Sequence, residues 1–312
     1  MNIKKTSKNR KQIIHIIGFP MDLGADRRGV DMGPSALRIA NIEQKLEDLG
    51  YRVLDDGDIE ISMPEVLKIK NHKLKYLPEI EKACEKLAQK VSSVLSKGNF
   101  PLVLGGDHSM AIGTISGVAN YCKKNNKKLG VIWIDAHSDI NIPETSPSGN
   151  IHGMPVAVLI GLGPKELRKV GGDFVKLDPK NIVQIGLRSV DKGEKELLKF
   201  HGVTTYTMTD IDRQGIQKVI VDAINLLKSN CDHIHVSFDL DSVDPTVVEG
   251  VGTPVSGGLT YREAHLIMET IAEKGAMNSL DIAEVNPILD IKNKSAVLAS
   301  DLVASVMGKR II

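Results

Sequence analysis

Ionisable side chains crowd the ends of three apolar runs. Leu129–Ile134 is followed at once by Asp135, His137 and Asp139, three potential metal ligands at alternate positions. Residues 100–104 stop at Gly105-Gly106-Asp107-His108, and residues 234–238 lead into Asp239 and Asp241, again two apart. In extended backbone, residues i, i+2 and i+4 point to one side, so such ligands are expected to converge just past a strand end. Taken singly, Gly-Gly before Asp-His reads as a turn and Asp after a strand as a helix cap. Their coincidence argues for a site, because carboxylates held together at the end of apolar strands repel one another unless cations compensate them. Four Asp and two His tell against a structural zinc site and favour a harder ion such as Mn²⁺. Six ligands exceed what one catalytic ion needs, but they suit two ions roughly 3.5–4 Å apart that share carboxylates. Two divalent ions, four carboxylates and one hydroxide sum to roughly −1, a charge that tolerates a cationic substrate.

Positioning six ligands requires several strands with a common carboxyl edge. Strand-like and helix-like segments alternate along the whole chain. Strands are expected at 15–19, 51–54, 100–104, 129–134, 182–185, 203–206, 234–238 and 279–282. Helices are expected at 33–49, 79–97, 215–228, 261–274 and 294–307, with another beginning at Ser109. This pattern predicts an α/β protein with an open, doubly wound, mainly parallel sheet between two helical layers. Such sheets gather ligands at the carboxyl ends of their strands. Repeats, low-complexity tracts and linkers are absent, so one catalytic domain over 1–312 is expected, with a basic start (1–12) that is disordered.

Composition narrows the function. The chain has 312 residues, 42% of them hydrophobic, and a net charge of +1. Near-neutral charge gives no reason to expect nucleic acid as a partner. No run is long and apolar enough to span a membrane, and the start lacks the apolar core of a secretory signal. A mitochondrial presequence is the rival reading, disfavoured because no amphipathic segment precedes the first strand. Cys84, Cys122 and Cys231 are odd in number and scattered, which fits a reducing compartment, so a cytoplasmic location is expected.

The motifs GGDHS, DAHSDIN, SGNIHG, GLRSVD, SFDLDSVDP, GVGTPVSGGLTYRE and DIAEVNP, preceded by RRGVDMGPSALR, are similar in sequence and order to those of the arginase (ureohydrolase) family. The resemblance covers about residues 15–310. It implies an arginase-like fold, two manganese ions per subunit, and hydrolysis of L-arginine to L-ornithine and urea by a metal-bridging hydroxide. It further implies that His108, Asp135, Asp139 and Asp239 hold one ion and His137, Asp135, Asp239 and Asp241 the other. By the same resemblance Asp139 relays a proton to the leaving amine, His152 shuttles protons, and Glu284 holds the guanidinium. Asn141, Ser148 and Asn150 read the α-carboxylate, and Asp191 the α-amino group, with supporting contacts from Glu194 and Thr253. The family implies a homo-oligomer, a hexamer or a trimer.

This sequence departs from the family pattern at Ser189, where many members carry a second Asp, and at Lys192, where many carry Pro. One water-mediated α-amino contact and the stiffness of that loop are therefore in question. The nearest rival function is that of an agmatinase or guanidinobutyrase. A single-zinc deacetylase of related fold is the rival from another class, and it calls for a tandem His-His pair that is lacking here. A binding protein that has kept the fold is a third. Trp133 is expected to pack beside the ligands without touching substrate, and Asp107 and Ser237 to orient ligands from behind.

Overall fold

The computed structural model describes residues 12–310; the basic start at 1–11 lies outside the described residues. The chain opens with β1 (Ile13–Phe19), α1 (Gly33–Ile39), α2 (Ile42–Asp48), β2 (Arg52–Asp58), α3 (Leu77–Ser96) and β3 (Phe100–Gly105). It continues through α4 (Met110–Lys124), β4 (Leu129–Ile134), α5 (Pro155–Leu159), α6 (Lys165–Arg168), β5 (Ile182–Leu187), α7 (Lys192–His201) and β6 (Thr204–Thr207). It finishes with α8 (Met208–Gln214), α9 (Ile216–Asn230), β7 (His233–Asp239), α10 (Tyr261–Lys274), β8 (Ser279–Ala283) and α11 (Lys294–Val306).

The eight strands form one sheet in the order β2-β1-β3-β8-β7-β4-β5-β6, and every pairing is parallel. The inner strands β3, β4, β7 and β8 are buried throughout, as near-continuous apolar runs require when both faces are covered. On one face Ile132, Ile134, Val236, Phe238 and Leu280 meet α9, α10 and α11. On the other, Val103, Val131 and Trp133 meet α3, α4 and α5. This is the expected three-layer arrangement. It puts the carboxyl ends of β3, β8, β7 and β4 side by side.

Local signals account for the boundaries. Thr260 caps α10 by accepting from Glu263 N, while the Glu263 side chain accepts from Thr260 N. Gly275, left-handed at φ 55°, ends that helix. Two expectations are corrected. The single helix over 33–49 is two helices, because Asn41 at φ 58° breaks the ladder between α1 and α2. The strand at 51–54 runs on through the acidic stretch to Asp58, with Arg38 of α1 paired to Asp55 and Asp58. Opposite charge from the neighbouring helix lets that carboxylate-rich sequence form an edge strand, and its charge discourages pairing with other chains.

Candidate functional site

The candidate ligand side chains lie close together, by a local geometry other than strand alternation. Beyond Ile134 the backbone leaves the strand and bends, and the Asp135 side chain accepts a hydrogen bond from His137 N at 2.7 Å. The same turn recurs after β7, where Asp239 Oδ1 accepts from Asp241 N at 2.7 Å. An Asp that bonds its own backbone two residues on is an Asx turn. This turn, and not strand alternation, aims both members of each pair at one point. Asp139 completes the set from a left-handed backbone at φ 50°, outside extended geometry altogether. Its conformation, like that of Glu284 at φ 64°, carries strain of a kind concentrated at functional sites.

Two groups of donor atoms result: His108, Asp135 and Asp239, and Asp135, His137 and Asp241, the atoms of each group lying within 4.8 Å of one another. His108 Nδ1 is 3.1 Å from Asp135, 3.0 Å from Asp239 and 3.3 Å from Asp139. His137 Nδ1 is 3.0 Å from Asp241 and 3.5 Å from Asp135. Asp135 belongs to both groups. An oxygen-rich set with two imidazoles suits Mn²⁺-class ions and is wrong for a thiolate-type zinc site, so the donors fit the metal that the sequence implies.

The electrostatics of this cluster would favour cations. Burial pushes Asp139 up to about 7, with the charge of Asp135 adding to it. Burial and the neighbouring Asp241 and Asp135 raise Asp239 likewise. Burial opposes charge on His108 and His137 too, but their carboxylate neighbours outweigh it and raise both. The side chains alone thus retain protons that balance the carboxylates, and divalent ions would take over that balance.

The surroundings fix the ligands. Ser237 meets His108 Nε2 at 2.9 Å, and Trp133 Nε1 donates to Asp135 Oδ2 at 2.9 Å while its ring stacks on His108 at 4.1 Å. Trp133 packs beside the candidate ligands, and Ser237 bonds one of them from behind. Asp107 does not: it accepts from Gly24 N, Ser109 N and the Ser109 hydroxyl, and so braces the loop after β1 and not a ligand. Gly106 allows that loop to come close, since a Cβ there would lie 1.9 Å from Met21 O.

A cavity of about 130 Å³ opens above the ligands. It is lined by His108, His137, Asp139, Asp239 and Asp241, and by Asn141, Ser148, Asn150, His152, Asp191, Glu194 and Thr253. Asp135 and Glu284 lie behind this surface, 0% and 1% exposed. Glu284 Oε1 accepts from His108 N at 3.0 Å and meets His152 Nδ1 at 3.2 Å, whereas Oε2 is buried without a hydrogen-bond partner. Burial works against a charge on His152, but Glu284 prevails and lifts it to about 9.

Several lining residues also hold the frame. Asp191 and Glu194 form a capping box at the start of α7, a helix not expected from its polar sequence. Asn141 Nδ2 donates to Asp191 at 3.2 Å, and Thr253 Oγ1 donates to Asp241 at 2.9 Å. Arg188, unremarked as a residue in the sequence, donates to the carbonyls of Asp241, Ser242 and Val255, tying the ligand loop after β7 to the end of β5. The signal for it was an arginine directly after a buried strand.

Comparisons with known proteins agree with this geometry. The model of the arginase family matches residues 12–308. The arginase of Bacillus subtilis (strain 168) is 52% identical over 300 residues, covering 96% of this chain and 99% of that protein. The arginase of Bacillus caldovelox is 51% identical over the same coverage. A solved native structure of arginase from Bacillus caldovelox superposes with a TM-score of 0.93 at 50% identity, over 96% of this chain and all of that one. With its candidate ligands at the ends of β3, β7 and β4 and a match over nearly its whole length, the chain belongs to the arginase family.

Proposed function

We propose that this hydrolase cleaves L-arginine to L-ornithine and urea at a pair of Mn²⁺ ions, in a single cytoplasmic domain that assembles as a trimer or hexamer. The observation that carries the reading is the shared position of Asp135 between two donor groups at the base of a cavity lined by amide and hydroxyl donors. His108, Asp135, Asp139 and Asp239 would hold one ion, and His137, Asp135, Asp239 and Asp241 the other. When bound, the ions supply hydroxide near neutral pH and neutralise the carboxylates that surround it.

The remaining work falls to side chains. A guanidinium carbon is a poor electrophile, and its amine must leave protonated, so binding, orientation and proton delivery matter most. The unpartnered Oε2 of Glu284 would accept a guanidinium N–H and fix the cation at the deep end. Asp139, lining the cavity, would carry the proton to the departing nitrogen. His152, 18% exposed along its side chain and anchored on Glu284, stands where it can exchange protons with solvent. Asn141, Ser148 and Asn150 would offer donors to the α-carboxylate, and Asp191 would take the α-amino group, supported by Glu194 and Thr253.

Arginine is preferred over agmatine as substrate because the polar loop offers three donors that a substrate without a carboxylate leaves idle. The names of the relatives point the same way. Mn²⁺-loaded protein assayed for urea release on both substrates tests this. Faster turnover of L-arginine is expected; faster turnover of agmatine would overturn the choice, and metal analysis giving one ion per chain would overturn the paired site.

A further inference from the structure

The rim of the cavity is held by a segment remote from it in sequence. Residues 72–75 run beside the tip Gly149-Asn150, and three contacts join them. Lys75 N donates to Gly149 O at 3.3 Å. Lys75 Nζ donates to Asn150 Oδ1 at 3.0 Å. Gly149, left-handed at φ 74°, lies so near the His72 carbonyl that a Cβ would come within 1.9 Å of that oxygen. The same ammonium meets Asp26 Oδ1 at 2.6 Å, on the loop after β1. Only 15% of the Lys75 side chain is exposed, against 62% of Asp26, so the cation is enclosed between a rim carboxylate and a cavity-lining amide.

The chemistry of Asn150 makes this placement directional. The amide oxygen of Asn150 accepts from this ammonium, and its nitrogen lies within hydrogen-bonding reach of the Asp26 carboxylate, which leaves one of its two N–H donors for the cavity. The backbone N–H of Asn150 is given to Ser148 Oγ at 3.2 Å, which leaves the serine O–H free to donate. Lys75 therefore orients one reader directly and supports the loop that carries the other, and it offsets the Asp26 carboxylate that stands beside them. An exposed ion pair of lysine and aspartate would contribute little. Here the lysine is mostly enclosed while Asp26 is exposed, and the second acceptor is a residue of the cavity wall.

We propose that Lys75 is a positioning residue for recognition of the substrate α-carboxylate: it locks the Gly149-Asn150 tip and neutralises the Asp26 carboxylate beside it, which would otherwise repel an anion and draw the Asn150 amide away from it. The proposal rests on the reading of the cavity as an L-arginine site. It predicts an effect confined to substrates that carry a carboxylate, and confined to binding, because Lys75 does not line the cavity and touches none of the metal ligands.

The test compares Mn²⁺-loaded wild type, Lys75→Gln and Lys75→Arg on L-arginine and agmatine. Urea release from L-arginine by the wild type checks the underlying reading on its own; without it, that reading fails whatever the variants do. Given wild-type activity, Lys75→Gln is expected to raise KM for L-arginine about three- to tenfold, the effect of one charged hydrogen bond at a partly solvated rim. Its kcat should stay within about twofold, its agmatine kinetics should match the wild type, and Lys75→Arg should restore most of the lost affinity. Equal losses on both substrates, a fall in kcat with KM unchanged, or failure of Lys75→Gln to fold would each overturn the proposal, making Lys75 a structural strut. An unchanged KM for L-arginine would overturn it outright.

Discussion

Replacing Trp133 with phenylalanine separates packing from ligand orientation. The indole is 1% exposed, stacks on His108 at 4.1 Å with an interplanar angle of 16°, and gives its single donor to Asp135 Oδ2 at 2.9 Å. A phenyl ring keeps the stack and most of the buried apolar surface but offers no N–H. The loss is thus one hydrogen bond to a charged, fully buried carboxylate, worth about 1.5–3 kcal/mol. At about 1.4 kcal/mol per tenfold, and if Asp135 is shared between the ions, Mn²⁺ affinity should fall about 10–100-fold. Titration of apoprotein with Mn²⁺, followed by electron paramagnetic resonance of the free ion, measures this directly. Val131→Ala is the control. It lies two residues earlier on the same face of β4, is equally buried, and has no polar atom to bond a ligand. It should lower the melting temperature of the apoprotein through lost packing, about 1–2 kcal/mol, and leave metal affinity unchanged. Wild-type Mn²⁺ affinity in Trp133→Phe would refute the reasoning, as would an equal loss of affinity in Val131→Ala.

Other perturbations probe other parts. Asp135→Ala should lose both ions, and metal analysis that finds two ions in an active variant would refute the shared assignment. Asn141→Ala and Ser148→Ala should raise KM for L-arginine far more than for agmatine, each by about tenfold, the scale of one lost hydrogen bond; steady-state urea assays decide it. Glu284→Gln should retain the fold while kcat/KM on L-arginine falls at least about 100-fold, since the buried carboxylate loses its charge; near-wild-type rates would remove Glu284 from guanidinium binding. Arg38→Met should lower the urea midpoint at pH 7. Burial alone would raise the pKa of Asp55, but Arg38 bonds it in two places and holds it below 3.8. The stabilisation is present above that value and lost as pH falls through it, so the gap between wild type and variant should narrow below about pH 4.

The sequence was most legible where chemistry is dense. The strand ends at His108, Asp135 and Asp239 follow from apolar runs that stop at ionisable residues, and the parallel sheet follows from their alternation with helical periodicity. The aim of the ligands was legible only in part. Spacing of two suggested strand alternation, while the turn hydrogen bonds of Asp135 and Asp239 achieve the convergence. Both geometries share the same spacing, so no pattern of residue types separates them. The break at Asn41 and the helix beginning at Lys192 were hidden for a related reason. A left-handed Asn inside a good helical pattern, and a helix whose exposed face is largely charged, are decided by neighbours and not by local periodicity. Lys75 lay beyond reach altogether, because its partner Asn150 is 75 residues away.

The place of β8 in the sheet has a temporal meaning. It is the last strand in the described chain, yet it sits in the centre, between β3 and β7. Until residues 279–283 are made, β2-β1-β3 and β7-β4-β5-β6 are separate half-sheets with no strand bridging them. His108 then belongs to one half, and Asp135, His137, Asp139, Asp239 and Asp241 to the other. A nascent chain would therefore lack the complete set of candidate ligands until β8 is inserted, and high-affinity uptake of metal would have to await that strand.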